Sequence, residues 1–97
     1  MRTTAKARLF WTPSEAGGRK HILPVGMRYC PIIVFESEQP GETLWSAEIY
    51  NTTIDDRTST ADVSYLADYA PYHLLQPGSR FHLYEGQRLV AEGAIVP

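Results

Sequence analysis

The chain has 97 residues, a formal net charge of −2, 43% hydrophobic and 21% charged side chains. This is ordinary globular composition, and it argues against disorder. One domain over residues 1–97 is expected, burying about 60–65% of its unfolded surface. The negative net charge disfavours general adhesion to nucleic acid or anionic membrane and leaves room only for a local basic patch.

Proline and glycine punctuate the chain so often that few windows could hold ten helical residues. Between these breaks lie short segments rich in β-branched and aromatic residues, which read as strands. Ala5–Trp11 alternates, with Ala5, Ala7, Leu9 and Trp11 on one face and Lys6 and Arg8 on the other. Thr12–Val25 has no period and reads as a long loop. Arg28–Ser37 contains Ile32, Ile33, Val34 and Phe35 in succession, as expected of a strand that is covered on both faces or whose outer face meets a partner. Pro31 near its start fits an edge, a bulge or the beginning of the strand.

Pro40-Gly41 reads as a turn, and Thr43–Asn51 as the next strand, with Trp45, Ala47 and Ile49 on one face. Thr52–Ser59 is polar and reads as turn-forming. Ala61–Ala67 follows as a strand, with a short helix over Ser64–Tyr69 the competing reading for its second half. Asp68–Gly78 is a loop rich in aromatics and prolines. Arg80–Glu85 alternates again, Glu85-Gly86-Gln87 makes a tight turn with Gly86 at φ > 0, and Arg88–Val96 is the last strand. Leu89, Ala91, Gly93 and Ile95 share one of its faces; Val90, Ala94 and Val96 make the other apolar as well. About six short strands separated by turn signals imply an all-β antiparallel barrel or sandwich.

Three stretches resemble the C-terminal β-barrel domain (domain III) of bacterial elongation factor Tu. The first is Lys6-Ala7-Arg8-Leu9-Phe10 followed by Glu15-Ala16-Gly17-Gly18-Arg19-Lys20-His21, similar to a family strand that leads into an acidic–Gly-Gly-Arg-His loop. Either Lys20 is inserted between Arg and His, or Lys replaces His. The second, Val25-Gly26-Met27-Arg28-Tyr29-Cys30-Pro31 and the apolar run to Phe35, resembles a Gly-Tyr-Arg-Pro lead-in to an aromatic strand. The third and closest is Arg80-Phe81, three residues, Glu85-Gly86-Gln87-Arg88, then Val90-Ala91-Glu92-Gly93-Ala94-Ile95-Val96. The stretches follow family order; Ser37–Leu75 matches only in strand spacing.

The resemblance implies a six-stranded antiparallel barrel standing alone. No Gly-x-x-x-x-Gly-Lys-Ser/Thr loop is present, so no nucleotide site is expected. In the family, the Gly-Gly-Arg loop and the Glu-Gly turn lie near the T-stem of bound tRNA, which carries over to Arg19, Lys20, His21, Glu85, Gly86, Gln87 and Arg88 as RNA-contact candidates. Tyr84 stands where Arg is usual and Gln87 where Gly is usual, and the lost Arg weakens that implication. Read from the residues alone, the loop sets two or three cations on a backbone whose glycines permit close approach, and such a loop can hold phosphate.

Signals for catalysis are weak. His21, His73, His82 and Cys30 lack the local spacing of a zinc half-site. Thr53-Ile54-Asp55-Asp56-Arg57 fails the pattern of a calcium loop and reads as a solvated turn. No nucleophile elbow exists, and Cys30 beside Pro31 reads as packed rather than reactive. No cofactor, metal or catalytic residue is expected. A lone cysteine excludes an internal disulfide framework and fits a reducing compartment. No stretch approaches the roughly 20 apolar residues of a membrane span, so a cytoplasmic chain is expected.

Binding remains as the expected function. Most of Trp11, Trp45, Tyr65, Tyr69, Tyr72 and Tyr84 are expected in the core, but Tyr69–Leu75 sits in a loop and cannot all be buried. Exposed tyrosine among apolar neighbours suits a protein-binding patch. Ile33, Phe35, Tyr69, Tyr72, Val90, Ala94 and Val96 are therefore expected to face a protein partner or a second copy. RNA contact is the alternative, and a mimic that intercepts a factor-binding toxin is the third reading.

Overall fold

A computed structural model describes residues 3–38 and 43–97. The Pro40-Gly41 turn lies outside the described residues. Among the described residues seven strands follow one another: β1 Ala5–Trp11, β2 Arg28–Tyr29, β3 Ile32–Phe35, β4 Trp45–Asp55, β5 Thr58–Tyr65, β6 Arg80–Glu85 and β7 Arg88–Ile95. Two single turns of 3-10 helix, Ser14–Ala16 and Tyr72–Leu74, sit in the longer loops, and no α-helix occurs among the described residues.

Every ladder is antiparallel, and the order β4-β3-β6-β7-β1-β5 closes when β5 pairs back onto β4. The result is a closed six-stranded antiparallel barrel with one extra short strand, β2. Closure leaves the six barrel strands without a long free edge, which suits so short a chain.

β2 and β3 act as two halves of one strand. Both pair with β4, β2 at Ile49–Tyr50 and β3 at Trp45–Ser46. The break falls at Cys30-Pro31. Pro31 has no N–H to give the ladder, but its carbonyl accepts from Ala47 N at 2.8 Å, so the contact with β4 continues across the break. The expected single strand over 28–37 is thus split, and Cys30, expected to be packed, is exposed.

Alternation sets the core. Ala7, Leu9 and Trp11 of β1, Ala47 and Ile49 of β4, Ala61, Val63 and Tyr65 of β5, and Phe81 and Leu83 of β6 all point inward. Gly93 of β7 is required by a close approach. A Cβ there would lie 2.5 Å from Phe81 Cζ and 2.7 Å from Leu9 Cδ2.

Several expectations are corrected here. Ile33 and Phe35 are core residues, 2% and 1% exposed, and cannot face a partner. On β3 it is Ile32 and Val34 that lie half-buried on the outside. Val90 is also fully buried, because a bulge intervenes: Leu83 pairs with Ala91 while Tyr84 pairs with Leu89. The extra residue lets Val90 and Ala91 both turn inward. Thr52–Ser59 is mostly strand rather than turn. The reversal takes only Asp56-Arg57, with Asp56 at φ 56°. Ser64–Tyr69 forms no helix; β5 runs to Tyr65 and irregular chain follows.

The registers define two ends. One gathers the start of β4, the ends of β3 and β5, and the loop 66–79 that precedes β6. The other gathers the ends of β1 and β6, the start of β7, β2 and the loop 12–27.

Candidate functional site

The loop-12–27 end is built around Glu85, the last residue of β6. Past the Ile32–Tyr84 pair, β6 reaches only Glu85 before turning back at Gly86, which has φ 61°. Among the described residues β2 therefore has no ladder partner on that side, and side chains fill the seam. Tyr29 Oη of β2 donates to Glu85 Oε2. Arg19 Nη1 donates to the same oxygen at 2.6 Å, and Arg88 Nη2 donates to Oε1 at 2.6 Å. Arg19 also lies over the Tyr29 ring, with 5.4 Å from Cζ to the centroid, in cation–π range.

The loop itself is pinned. Gly18 N donates to Pro13 O at 3.0 Å, and a Cβ on Gly18 would fall 1.9 Å from Thr12 O, so only glycine fits against the end of β1. Arg57 Nη1 donates to Arg19 O at 3.0 Å, and Arg19 Nε to His21 O at 3.2 Å. A buried polar chain lies beneath: Trp11 Nε1 donates to Ser59 Oγ at 2.9 Å, Ser59 Oγ to Asn51 Oδ1 at 2.9 Å, and Asn51 Nδ2 to Leu23 O at 3.0 Å.

Electrostatics follow from these bonds. Burial alone would push the Glu85 carboxyl up, but hydrogen bonds from Tyr29, Arg88 and Arg19 outweigh it and hold the carboxyl down at about 2. The bond to Glu85 raises the Arg19 guanidinium further. Burial, then the bond to Glu85, pushes the Tyr29 phenol up. Arg19, Tyr29 and Glu85 thus form a charged clasp.

The RNA-contact candidates do come together. Arg19, Lys20, His21 and Arg88 line one open depression of about 690 Å³ together with Glu15 and Gly17. Lys20 and His21 are exposed. Arg19, Glu85 and Arg88 are committed to one another, and Gly86 and Gln87 form the exposed turn beside them. Tyr29 is the member of this cluster that sequence reasoning passed over. Its partner lies 56 residues away, and no local pattern marks it.

The opposite end is capped by loop 66–79. Leu75 is buried, and Ala70, Tyr72 and Leu74 pack on the core. Tyr72 Oη donates to Ala67 O at 2.8 Å, and its ring meets Tyr65 edge-on at 5.4 Å. Tyr72 is therefore chiefly a lid residue. Tyr69 is different: it is 84% exposed, and its ring stands edge-on to half-buried Trp45 at 5.6 Å. Together they wall an open groove of about 410 Å³ that Glu38, Pro71, His73 and Leu74 also line. Leu44 beside it is 67% exposed. Ala94 and Val96 are half-buried near the end of β7, away from this lining.

Among the described residues no group of three or more histidine, cysteine or carboxylate side chains is placed to hold a metal ion, and no helix is long and apolar enough to cross a membrane. No protein-family model matches the chain, and no curated protein matches it.

Proposed function

We propose that this chain is a non-catalytic binding module and that the Tyr69 end of the barrel docks a segment of a protein partner. The carrying observation is Tyr69 itself, 84% exposed on a loop where Ala70, Tyr72, Leu74 and Leu75 are folded onto the core. A large ring held in solvent against Trp45 loses little conformational freedom on contact and offers much apolar area. The burial of Ile33, Phe35 and Val90 takes these three out of any interface and turns the reading to this groove.

The test is selection of random peptides on the immobilised domain, followed by re-binding to Tyr69→Ala and Lys20→Glu variants. Selected peptides should lose Tyr69→Ala and keep Lys20→Glu. Peptides indifferent to Tyr69→Ala would overturn the reading.

RNA contact at the other end is the second reading. The convergence of Lys20, His21, Arg19 and Arg88 on one open depression favours it, as does the resemblance to the elongation factor barrel. The formal charge of −2 and the clasping of both arginines by Glu85 weigh against it.

A further inference from the structure

The groove at the Tyr69 end has a chemical character beyond being apolar. Its two aromatic walls, Trp45 and Tyr69, meet at 68°, so they form a corner rather than a stack. A group seated in such a corner meets the negative π-face of one ring beside the edge of the other. The third wall carries the Glu38 carboxylate. That carboxylate is held in place, since its Oε1 accepts from Phe35 N at 2.8 Å while Glu38 N donates back to Phe35 O at 3.0 Å. Among the described residues the lining contains no lysine or arginine; its other polar side chains are Ser37, Thr43 and His73.

An aromatic corner and a fixed carboxylate complement one class of group, an organic cation with an apolar skirt. We propose that the groove receives a basic side chain, arginine or lysine, from an extended segment of the partner protein. This rests on the docking reading above and names its chemistry. The guanidinium or ammonium lies against Trp45 and Tyr69 with Glu38 as counter-ion, and the aliphatic stem covers Leu74 and Pro71. An acidic or purely aliphatic segment would leave Glu38 facing a like charge or a desolvating wall, and the groove discriminates against both.

Isotope-labelled protein titrated with a blocked Gly-Gly-Arg-Gly-Gly peptide, and followed by amide and indole resonances, tests this. Saturable shifts are expected at Glu38, Trp45, Tyr69 and Leu74. A citrulline peptide, equal in size and neutral, should bind about tenfold more weakly, and the Lys peptide should give the same map as the Arg peptide. Glu38→Gln keeps an acceptor for Phe35 N, so the fold is retained, and should weaken the Arg peptide about 3- to 10-fold. Equal binding of the citrulline peptide, an unaffected Glu38→Gln variant, or no saturable shift at Trp45 up to about 10 mM would each overturn the cation assignment. The library selection separates the two levels. Peptides that need Tyr69 but lack basic residues sink the cation and leave the docking surface standing. Peptides indifferent to Tyr69 sink both.

Discussion

Arg19 and Glu85 sit 2.6 Å apart across 66 residues of chain, and Tyr29 joins them on the same carboxylate oxygen. The contact ties the long loop, β2 and the β6–β7 turn together where the hydrogen-bonded ladder runs out. Three of the seven RNA-contact candidates, Arg19, Glu85 and Arg88, are bonded to one another in this clasp.

The clasp predicts an acid dependence. Glu85 has a folded value of about 2 against an ordinary value of 4.5. A lowered folded value contributes stability that is fully present above the ordinary value and is lost as pH falls toward the folded one. The chain should therefore lose about 1–3 kcal/mol from this group between pH 4.5 and 2. Urea unfolding across that window should show the loss in the native chain. Glu85→Gln should be less stable at neutral pH by about 1.5–3 kcal/mol and flatter through the window. An identical slope in both proteins would contradict the assignment.

Gly93→Ala should destabilise the barrel by about 1–3 kcal/mol, because the new methyl meets the Phe81 ring and Leu9 in a packed core. Both neighbours are buried and have little room to move. A shifted denaturant midpoint at constant slope is the expected readout; an unchanged midpoint would mean that β7 can move outward.

Ser59→Ala breaks the chain of bonds from Trp11 through Asn51 to Leu23. It leaves the Trp11 indole N–H and Asn51 Oδ1 without Ser59 in a buried setting. A loss of about 1–3 kcal/mol is expected, with a change in Trp11 emission in the native state. Native-like stability would show that water replaces the hydroxyl.

The strands that were legible in the sequence are those with one polar face. β1 and β6 alternate cleanly, and their bounds match the expected ones. β3 is apolar on both sides, so alternation alone cannot say whether Ile33 and Phe35 or Ile32 and Val34 face inward; pairing with β6 decides it. Val90 goes inside because of a bulge that leaves no mark in the residue pattern. The threonines of β4 and β5 read as a turn because they are polar. They sit where β5 is paired on both sides, with β1 and with β4, and Thr52 and Thr53 both bond to Thr60 through their hydroxyls. The Gly-Gly-Arg loop and the Glu-Gly turn were legible as neighbours through the family resemblance. The Tyr29 tie was not, since it depends on where β2 stops pairing.

The RNA reading turns on Lys20, the exposed cation that can be reversed without touching the clasp. If that end binds tRNA, Lys20→Glu should weaken a gel shift and reduce its salt dependence by about one phosphate contact. Arg19→Glu is unsuitable for this purpose because it removes a structural bond. Equal shifts for Lys20→Glu and the native chain would rule out this loop as the contact.

The docking surface is tested most directly by calorimetry of one library-selected peptide on the native chain and on Tyr69→Ala. The substitution removes an exposed ring, so stability should stay within about 0.5 kcal/mol of the native value. The dissociation constant should rise about tenfold or more if Tyr69 anchors the partner. An unchanged constant on a folded variant would contradict the account.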